Sequence, residues 1–322
     1  MLSQYNRFPT LNSWEMTMKS RSLAFVGTLA ALALASGCAA PAETAPAGSG
    51  GSGAPSAQVT AVAKDDAIAA MLPADIKSAG KVRVASGVSF PPMEFFGPDN
   101  KTVLGFDADL GAALGQVLGV TFEFQNTNFD GIIGGLDAGR YDLGLTSMND
   151  KKSRHDRVDF IDYLNSGTTA MVKKGNPKGV KERLDLCGLN VAVEKSTAGD
   201  FTIDAVNKEC PGAGKPAATK LPFPDQASAV QALQSGRADA VVTLDLSLAY
   251  DVKQNPNAFE LALKPFDAMP VGIPVPKKST ELRDAVQAAL KKLQETGVYD
   301  QLLAKWSLQD QALPGAPLNQ GK

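Results

Sequence analysis

The sequence predicts an α/β fold built as two similar lobes, and three observations carry that prediction. From Lys81 onward, short β-branched strands alternate with helical segments, the rhythm of sheets covered by helices on both faces. Two stretches repeat one pattern: LDAGRYDLGLTSM from Leu136 and LQSGRADAVVTLD from Leu233 each read as a helix end, a Gly-Arg turn, an aspartate and an apolar strand. A chain of 322 residues is also long enough for two compact units with cores of their own. Ligands of open α/β sheets sit beyond the carboxyl ends of the strands. The strand ends at Thr146–Ser147 and Thr243–Asp245 should therefore face a common cleft.

The N-terminus reads as a targeting segment, residues 1–38. From Met18, MKSRSLAFVGTLAALALASGC places Lys19 and Arg21 before an apolar run and small residues before Cys38. That run is shorter than the roughly 20 apolar residues a membrane span needs. The segment resembles a bacterial lipoprotein signal in which Cys38 is lipidated and becomes the mature first residue, although Ala35 stands where Leu or Val is usual. An ordinary secreted signal with an incidental cysteine is the alternative. The residues before Met18 have no charged or apolar logic, which points to Met18 as the true start. Residues 39–70, rich in Ala, Pro, Gly and Ser, predict a flexible tether. In the oxidising location this implies, Cys187 and Cys210 read as a disulfide, with two free thiols as the alternative.

Within the folded part, KVRVAS (81–86) is a strand by its β-branched content. FDADLGAALGQVLG (106–119) is a helix that Asp107 can cap, with Phe106, Leu110, Leu114, Val117 and Leu118 on one face and Gly119 ending it. STELRDAVQAALKKLQETGVYDQLLAKWSL (279–308) predicts two amphipathic packing helices split at Gly297.

Composition excludes several functions. With 34 acidic and 32 basic residues there is no electrostatic footprint for nucleic acid. One histidine, His155, rules out a His-rich metal site, and Cys38, Cys187 and Cys210 lie too far apart in sequence for a Cys-based zinc site. No cofactor is expected.

The stretch YDLGLTSMNDKKSRHDRVDF (141–160) puts Ser147, Asn149 and Arg154 in a polar turn at the end of an apolar strand. Together with FPPMEFF (90–96), GFDADLGAALGQVLG (105–119), FDGIIGGLDAGRYDLGLTSM (129–148), RVDFIDY (157–163), FPDQASAVQALQSGRADAVV (223–242) and the C-terminal helix pair, it resembles the extracellular solute-binding proteins of ABC importers, in the family serving polar amino acids (family 3). The resemblance spans about Lys81 to Leu308. It implies the type II periplasmic-binding-protein fold: two doubly wound sheets joined by two crossover strands, with a ligand cleft between them. Lobe one is expected at 78–172 plus 270–312, lobe two at 173–269, the crossovers at 168–174 and 268–276, and a flexible tail at 313–322.

By the same resemblance Arg154 pairs with a ligand carboxylate, which suits the planar, always-charged guanidinium fork. Lys152 and Arg157 are nearby alternatives that do not occupy the family's arginine position, and His155 is expected to be an exposed neighbour. Ser147 and Asn149 would add hydrogen bonds, and Thr197 a second bond to the carboxylate. Phe90 and Phe129 would sandwich the aliphatic part, each equally able to be core. Glu194 could meet a positively charged ligand end. Two departures concern the ligand ammonium: Gly87 and Leu244 stand where the family has acids. Asp245 is the expected substitute, reaching the cleft through a local bulge, because alternation would otherwise turn it away from Leu244. If neither Asp245 nor some other acid compensates, the ligand would be a plain carboxylate such as a keto or hydroxy acid.

The reading is of a binding protein, not an enzyme. It would be a monomer, extracytoplasmic and lipid-anchored to the bacterial membrane, that captures an amino acid and delivers it to a permease with its ATPase subunits. Two alternatives remain: a dehydratase of the same fold using Glu94, Glu194 or Asp245 as general acid, and a ligand-sensing lobe.

Overall fold

In this computed structural model the described residues are 61–322. The signal segment, Met18, Cys38 and the tether through residue 60 lie outside them. Residues 61–70, expected to end the tether, belong to the body instead. Asp65 caps α1 (Asp66–Ala70) by accepting from the N–H groups of Ala67 and Ile68, and its own N–H donates to the Val117 carbonyl at 3.0 Å. Val62 and Ile68 pack on the core. A capping carboxylate and two apolar side chains are what the small-residue stretch before them lacks.

After α2 (Ala74–Ala79), lobe one runs through β1 (Lys81–Ser86), the hairpin β2 (Phe95–Phe96) and β3 (Val103–Leu104), α3 (Phe106–Leu118), β4 (Thr121–Asn126), α4 (Ile132–Asp137), β5 (Leu143–Gly144) and β6 (Met148–Asn149). The long β7 (Val158–Lys173) leaves it. Lobe two holds β8 (Asn190–Glu194), α5 (Ala198–Glu209), β9 (Thr219–Phe223), α6 (Gln226–Gln234), β10 (Ala240–Leu244), α7 (Asp245–Gln254) and β11 (Phe259–Leu261). β12 (Phe266–Pro276) returns to lobe one, which α8 (Thr280–Glu295) and α9 (Val298–Trp306) complete.

The internal repeat has a structural counterpart. β1 pairs in parallel with β4 and β5, and β8 pairs in parallel with β9 and β10. The repeated aspartates do the same work in both lobes: Asp142 accepts from the Arg83 N–H at 2.7 Å, and Asp239 from the Asn190 N–H at 2.9 Å. Each thereby ties its helix-to-strand turn to the neighbouring parallel strand, β1 in one lobe and β8 in the other. The turn glycines, Gly139 at φ 68° and Gly236 at φ 79°, occupy the left-handed region where a side chain is strained.

The crossing between lobes comes earlier than expected. Thr168–Val172 already pair with β10, while residues 158–168 pair with β12. The passage is made around Asn165–Gly167 on one strand and in the irregular stretch between Phe266 and Met269 on the other. Residues 168–172 thus belong to lobe two's sheet; strand continuity across the hinge conceals the boundary in a sequence.

Two further expectations change. Asp107 does not cap α3: the N-cap is Gly105, and Asp107 is fully buried against Ser147 and Tyr163. Residues 313–322 are not a flexible tail either. They lie along β7, with a bridge between Leu318 and Ile161 and with Ala316 fully buried. Their backbone groups find partners on β7 and α8, which composition alone does not reveal.

Lobe one's core gathers Phe106, Leu110, Tyr163 and Ile273 under the apolar stripes of α8 and α9. Lobe two's core includes Val172, Val191, Val242 and Cys210. Cys187 and Cys210 form a disulfide with Cα atoms 5.8 Å apart, joining the turn before β8 to the end of α5. Closing a loop of this length constrains the unfolded chain by about 3 kcal/mol. Replacing both cysteines by alanine should lower the unfolding free energy by about that amount in denaturant titration; an unchanged midpoint would refute it. No helix among the described residues is long and apolar enough to cross a membrane.

Candidate functional site

The carboxyl ends of β5 and β10 do face one space. It is lined by Gly87, Phe90, Glu94, Phe129, Thr146, Ser147, Asn149, Glu194, Thr197, Thr243 and Leu244, from both lobes. Five of the seven ligand-binding residues expected from the sequence therefore stand together: Phe90, Phe129, Ser147, Asn149 and Thr197. Arg154 borders them, and Asp245 stands elsewhere.

Arg154 is 9% exposed and is held by backbone carbonyls, Asn149 O at 2.7 Å and Ser196 O at 2.6 Å. The first lies in its own lobe and the second in lobe two, so the guanidinium spans the cleft. Its centre is 5.7 Å from the Phe129 ring and 5.9 Å from the Phe201 ring. Burial lowers its pKa to about 10, an effect that the Asp150 charge opposes, and it stays protonated at neutral pH. Two carbonyls leave three of its five N–H donors for other acceptors. Lys151, beside it, places its ammonium 3.7 Å from the Phe201 ring centre, a second contact between the lobes.

Asn149 lines the space with a buried Nδ2 that has no partner among the described residues. A buried amide donor left unpaired is costly unless a ligand or water accepts from it. Ser147 sits at φ 49°, and this left-handed turn directs both its N–H and its hydroxyl to Asp107, at 2.9 and 3.2 Å. Its donors are thus spent on the protein. Thr197 is the N-cap of α5, where first-turn N–H groups lack helical partners. Its hydroxyl donates to the Glu194 carbonyl at 2.7 Å. Phe90 and Phe129 are both core and lining: each belongs to a hydrophobic cluster and each faces the space.

Asp245 corrects the sequence reading. β10 ends at Leu244 without a bulge, Leu244 lines the space, and Asp245 turns to the crossover strand. Its carboxylate accepts from the Ser166 hydroxyl at 2.5 Å and the Gly167 N–H at 3.2 Å, where β7 passes between lobes. Asp245 is the first residue of α7, so the turn from strand into helix sets its direction.

The acids that do reach the space are Glu94 and Glu194. Glu194 is 5% exposed, and burial, with the charges of Asp225 and Asp130 behind it, raises its pKa to about 8. Glu94 accepts from the Thr146 hydroxyl at 2.9 Å. Burial, then the Asp107 charge, pushes its pKa well above the carboxylate range. Asp107 itself is raised to about 6 by burial, against hydrogen bonds from Tyr163 and Ser147. Sequence reading had Glu94 only as a general acid of the enzyme alternative. Its place within FPPMEFF, opposite the strand end at Thr146, was the available signal. His155, expected to be exposed, is half-buried with its ring on the Asp150 carboxylate.

Comparison with known proteins identifies the family. A family model, bacterial extracellular solute-binding proteins, family 3, matches residues 82–309. The arginine-binding protein ArgT of Corynebacterium glutamicum is 29% identical over 79% of this chain and 83% of its own length. The ABC transporter glutamine-binding protein GlnH of Bacillus subtilis is 30% identical over 67% of this chain and 77% of its own. Among solved structures, an ancestral arginine-binding protein bound to arginine superposes with a TM-score of 0.65 at 35% identity, over 70% of this chain and 98% of that one. With a matched model across both lobes and the crossover strands, the chain belongs to the bacterial extracellular solute-binding proteins, family 3.

Proposed function

We propose that this chain is the substrate-binding component of an ABC transporter for amino acids, with a preference for those carrying a second positive charge. The observation that carries the preference is the pair of buried acids, Glu94 and Glu194, lining a space bordered by one arginine. With both acids ionised, these groups bear two negative charges and one positive. A dibasic amino acid, with one carboxylate and two cationic groups, is their complement. Arg154, the Asn149 amide and the N-terminus of α5 take the carboxylate. Glu194 and Glu94 take the ammonium and the side-chain cation, and Phe90 and Phe129 enclose the aliphatic stem. The names of the arginine-binding relatives support the same choice.

Capture works by population shift, because a ligand held by residues of both lobes favours the closed arrangement. The Arg154–Ser196 and Lys151–Phe201 contacts already join the lobes in that arrangement. Isothermal titration of the soluble body against the L-amino acids and their desamino analogues tests the reading. Arginine or lysine should bind more tightly than glutamine, and desamino analogues should not bind. Asp245→Ala should leave that discrimination intact. Binding of keto acids in preference to amino acids would overturn the proposal.

The chain acts as a monomer, anchored through lipidated Cys38 and delivering its ligand to a permease with ATPase subunits. The resemblance of residues 18–38 to a lipoprotein signal supports the anchor. Cys38→Ala should move the protein from the membrane fraction to the soluble extracytoplasmic fraction; an unchanged distribution would exclude lipidation there.

A further inference from the structure

Residues 312–322 lie beyond the family-matched part of the chain, which ends at residue 309. They nevertheless run as a continuous strap from the hinge to the arginine-bearing loop. At the near end, Gln311 Nε2 is 3.4 Å from the Asp245 carboxylate, which itself grips β7 at the crossing. Ala312 bridges to Leu164, and α8 holds the next turn: Gln294 Nε2 donates to the Leu313 carbonyl at 3.0 Å and Gln287 Nε2 to the Ala316 carbonyl at 2.7 Å. Along β7, the Asp162 N–H donates to the Pro317 carbonyl at 2.9 Å, the Asn319 N–H to the Phe160 carbonyl at 3.1 Å, and the Phe160 N–H to Asn319 Oδ1 at 2.8 Å. At the far end, the Gly321 N–H donates to the Asp150 carboxylate at 2.6 Å, and the Lys152 N–H donates to the Lys322 carbonyl at 3.1 Å.

Asp150 is fully buried and is not among the residues lining the cleft. It sits between Asn149, whose carbonyl takes Arg154, and Lys151, which meets Phe201 across the cleft. One of its carboxylate oxygens takes the His155 ring and the other takes Gly321, while its own N–H is tied to the Pro270 carbonyl on β12 at 2.9 Å. Gly321 approaches so closely that a Cβ there would lie 1.9 Å from the Asp150 carbonyl oxygen. Backbone cannot yield to such a contact without moving the loop.

We propose that residues 312–322 form a positioning strap for the Asn149–Arg154 loop, so that the Gly321–Asp150 junction sets the ligand grip from behind without lining it. The strap buttresses a short turn that otherwise depends on its two-residue strand, Met148–Asn149, and a single 3₁₀ turn, Lys152–Arg154. The inference rests on the reading of Arg154 as the carboxylate grip.

The test uses three variants of the soluble body: Gly321→Val, deletion of residues 319–322, and Arg154→Ala as a control. Amide hydrogen exchange and L-arginine binding kinetics are measured for each. In both strap variants, amides of residues 150–155 should exchange at least tenfold faster while those of β1 are unchanged. L-arginine should dissociate about tenfold faster. Unchanged loop protection in the Gly321→Val variant would overturn the strap's role. So would loss of β1 protection along with it, which would assign the segment to global stability. Should the deletion fail to fold, Gly321→Val decides alone. If Arg154→Ala still binds L-arginine normally, or the parent does not bind it, the grip reading fails separately, and loop exchange still judges the strap.

Discussion

Arg154→Ala is expected to weaken ligand binding by about a hundredfold or more. Truncating one partner of a buried, hydrogen-bonded charge pair costs about 2–5 kcal/mol, and each 1.4 kcal/mol is about tenfold in affinity. Here the ligand carboxylate would be left in a desolvated cleft, and the contact from lobe one to the Ser196 carbonyl would vanish with it. Both losses fall on the closed state, so the dissociation rate should carry most of the change. The ligand-free protein should melt within a few degrees of the parent, since Arg154 lies outside the main hydrophobic clusters. Titration calorimetry with L-arginine checks this. Affinity within threefold of the parent would remove Arg154 from the carboxylate grip and bring Lys151, its half-buried neighbour, forward instead.

The second large effect is a pH dependence that runs in opposite directions for stability and for binding. Glu194, raised to about 8 by burial, holds its proton in the ligand-free protein at neutral pH. A ligand cation favours the ionised carboxylate, so binding releases that proton. Glu94, whose pKa burial also raises, must give up its proton to meet the second cation, so affinity for a dibasic amino acid should rise below pH 8 by about tenfold per pH unit for each proton released. Glu194→Gln should flatten the slope and weaken binding at pH 8 by about 2 kcal/mol or more. Calorimetry in buffers of different ionisation enthalpy counts the proton directly. A flat profile with no proton released would show that Glu194 does not meet the ligand's charge.

Stability of the ligand-free protein follows the other sign. An acid whose folded pKa lies above its unfolded value binds more protons when folded, and its contribution is lost as pH rises through the folded pKa. Glu194 at about 8, Asp162 and Asp251 at about 7 and Asp107 at about 6 all act this way. The melting temperature without ligand should accordingly fall between pH 5.5 and 8.5. The depressed carboxylates, Asp65, Asp99, Asp159 and Asp185, act only at lower pH, where their protonation costs stability. A ligand-free melting temperature that climbs across that window would contradict the assignment of these burial shifts.

Much of this architecture could be read before any coordinates. Strand-helix alternation, the Leu136 and Leu233 repeat and the Gly119 and Gly297 helix breaks depend on local periodicity and backbone preference, which a sequence displays directly. Ser147, Asn149 and Arg154 were legible as polar residues in a turn at a strand end, whereas Phe90, Phe129 and Thr197 were named only through the family resemblance. Asp107 was legible only as a residue near a helix start. Two acceptors on a carboxylate and three competing donors, from Ser147 and Tyr163, settled its role once the chain folded back.

By itself, then, the sequence determined the two-lobed α/β class, the repeat and the places along the chain where a ligand should be gripped, because those follow from short-range patterns. Tertiary structure alone decided which acids reach the cleft, with Glu94 and Glu194 lining it and Asp245 turned to the hinge. It also decided that residues 313–322 are a strap rather than a tail. A side chain's direction at a strand end, and the partner of a backbone group far along the chain, depend on which segments meet in space. Burial and hydrogen-bond satisfaction settle both only after they have met.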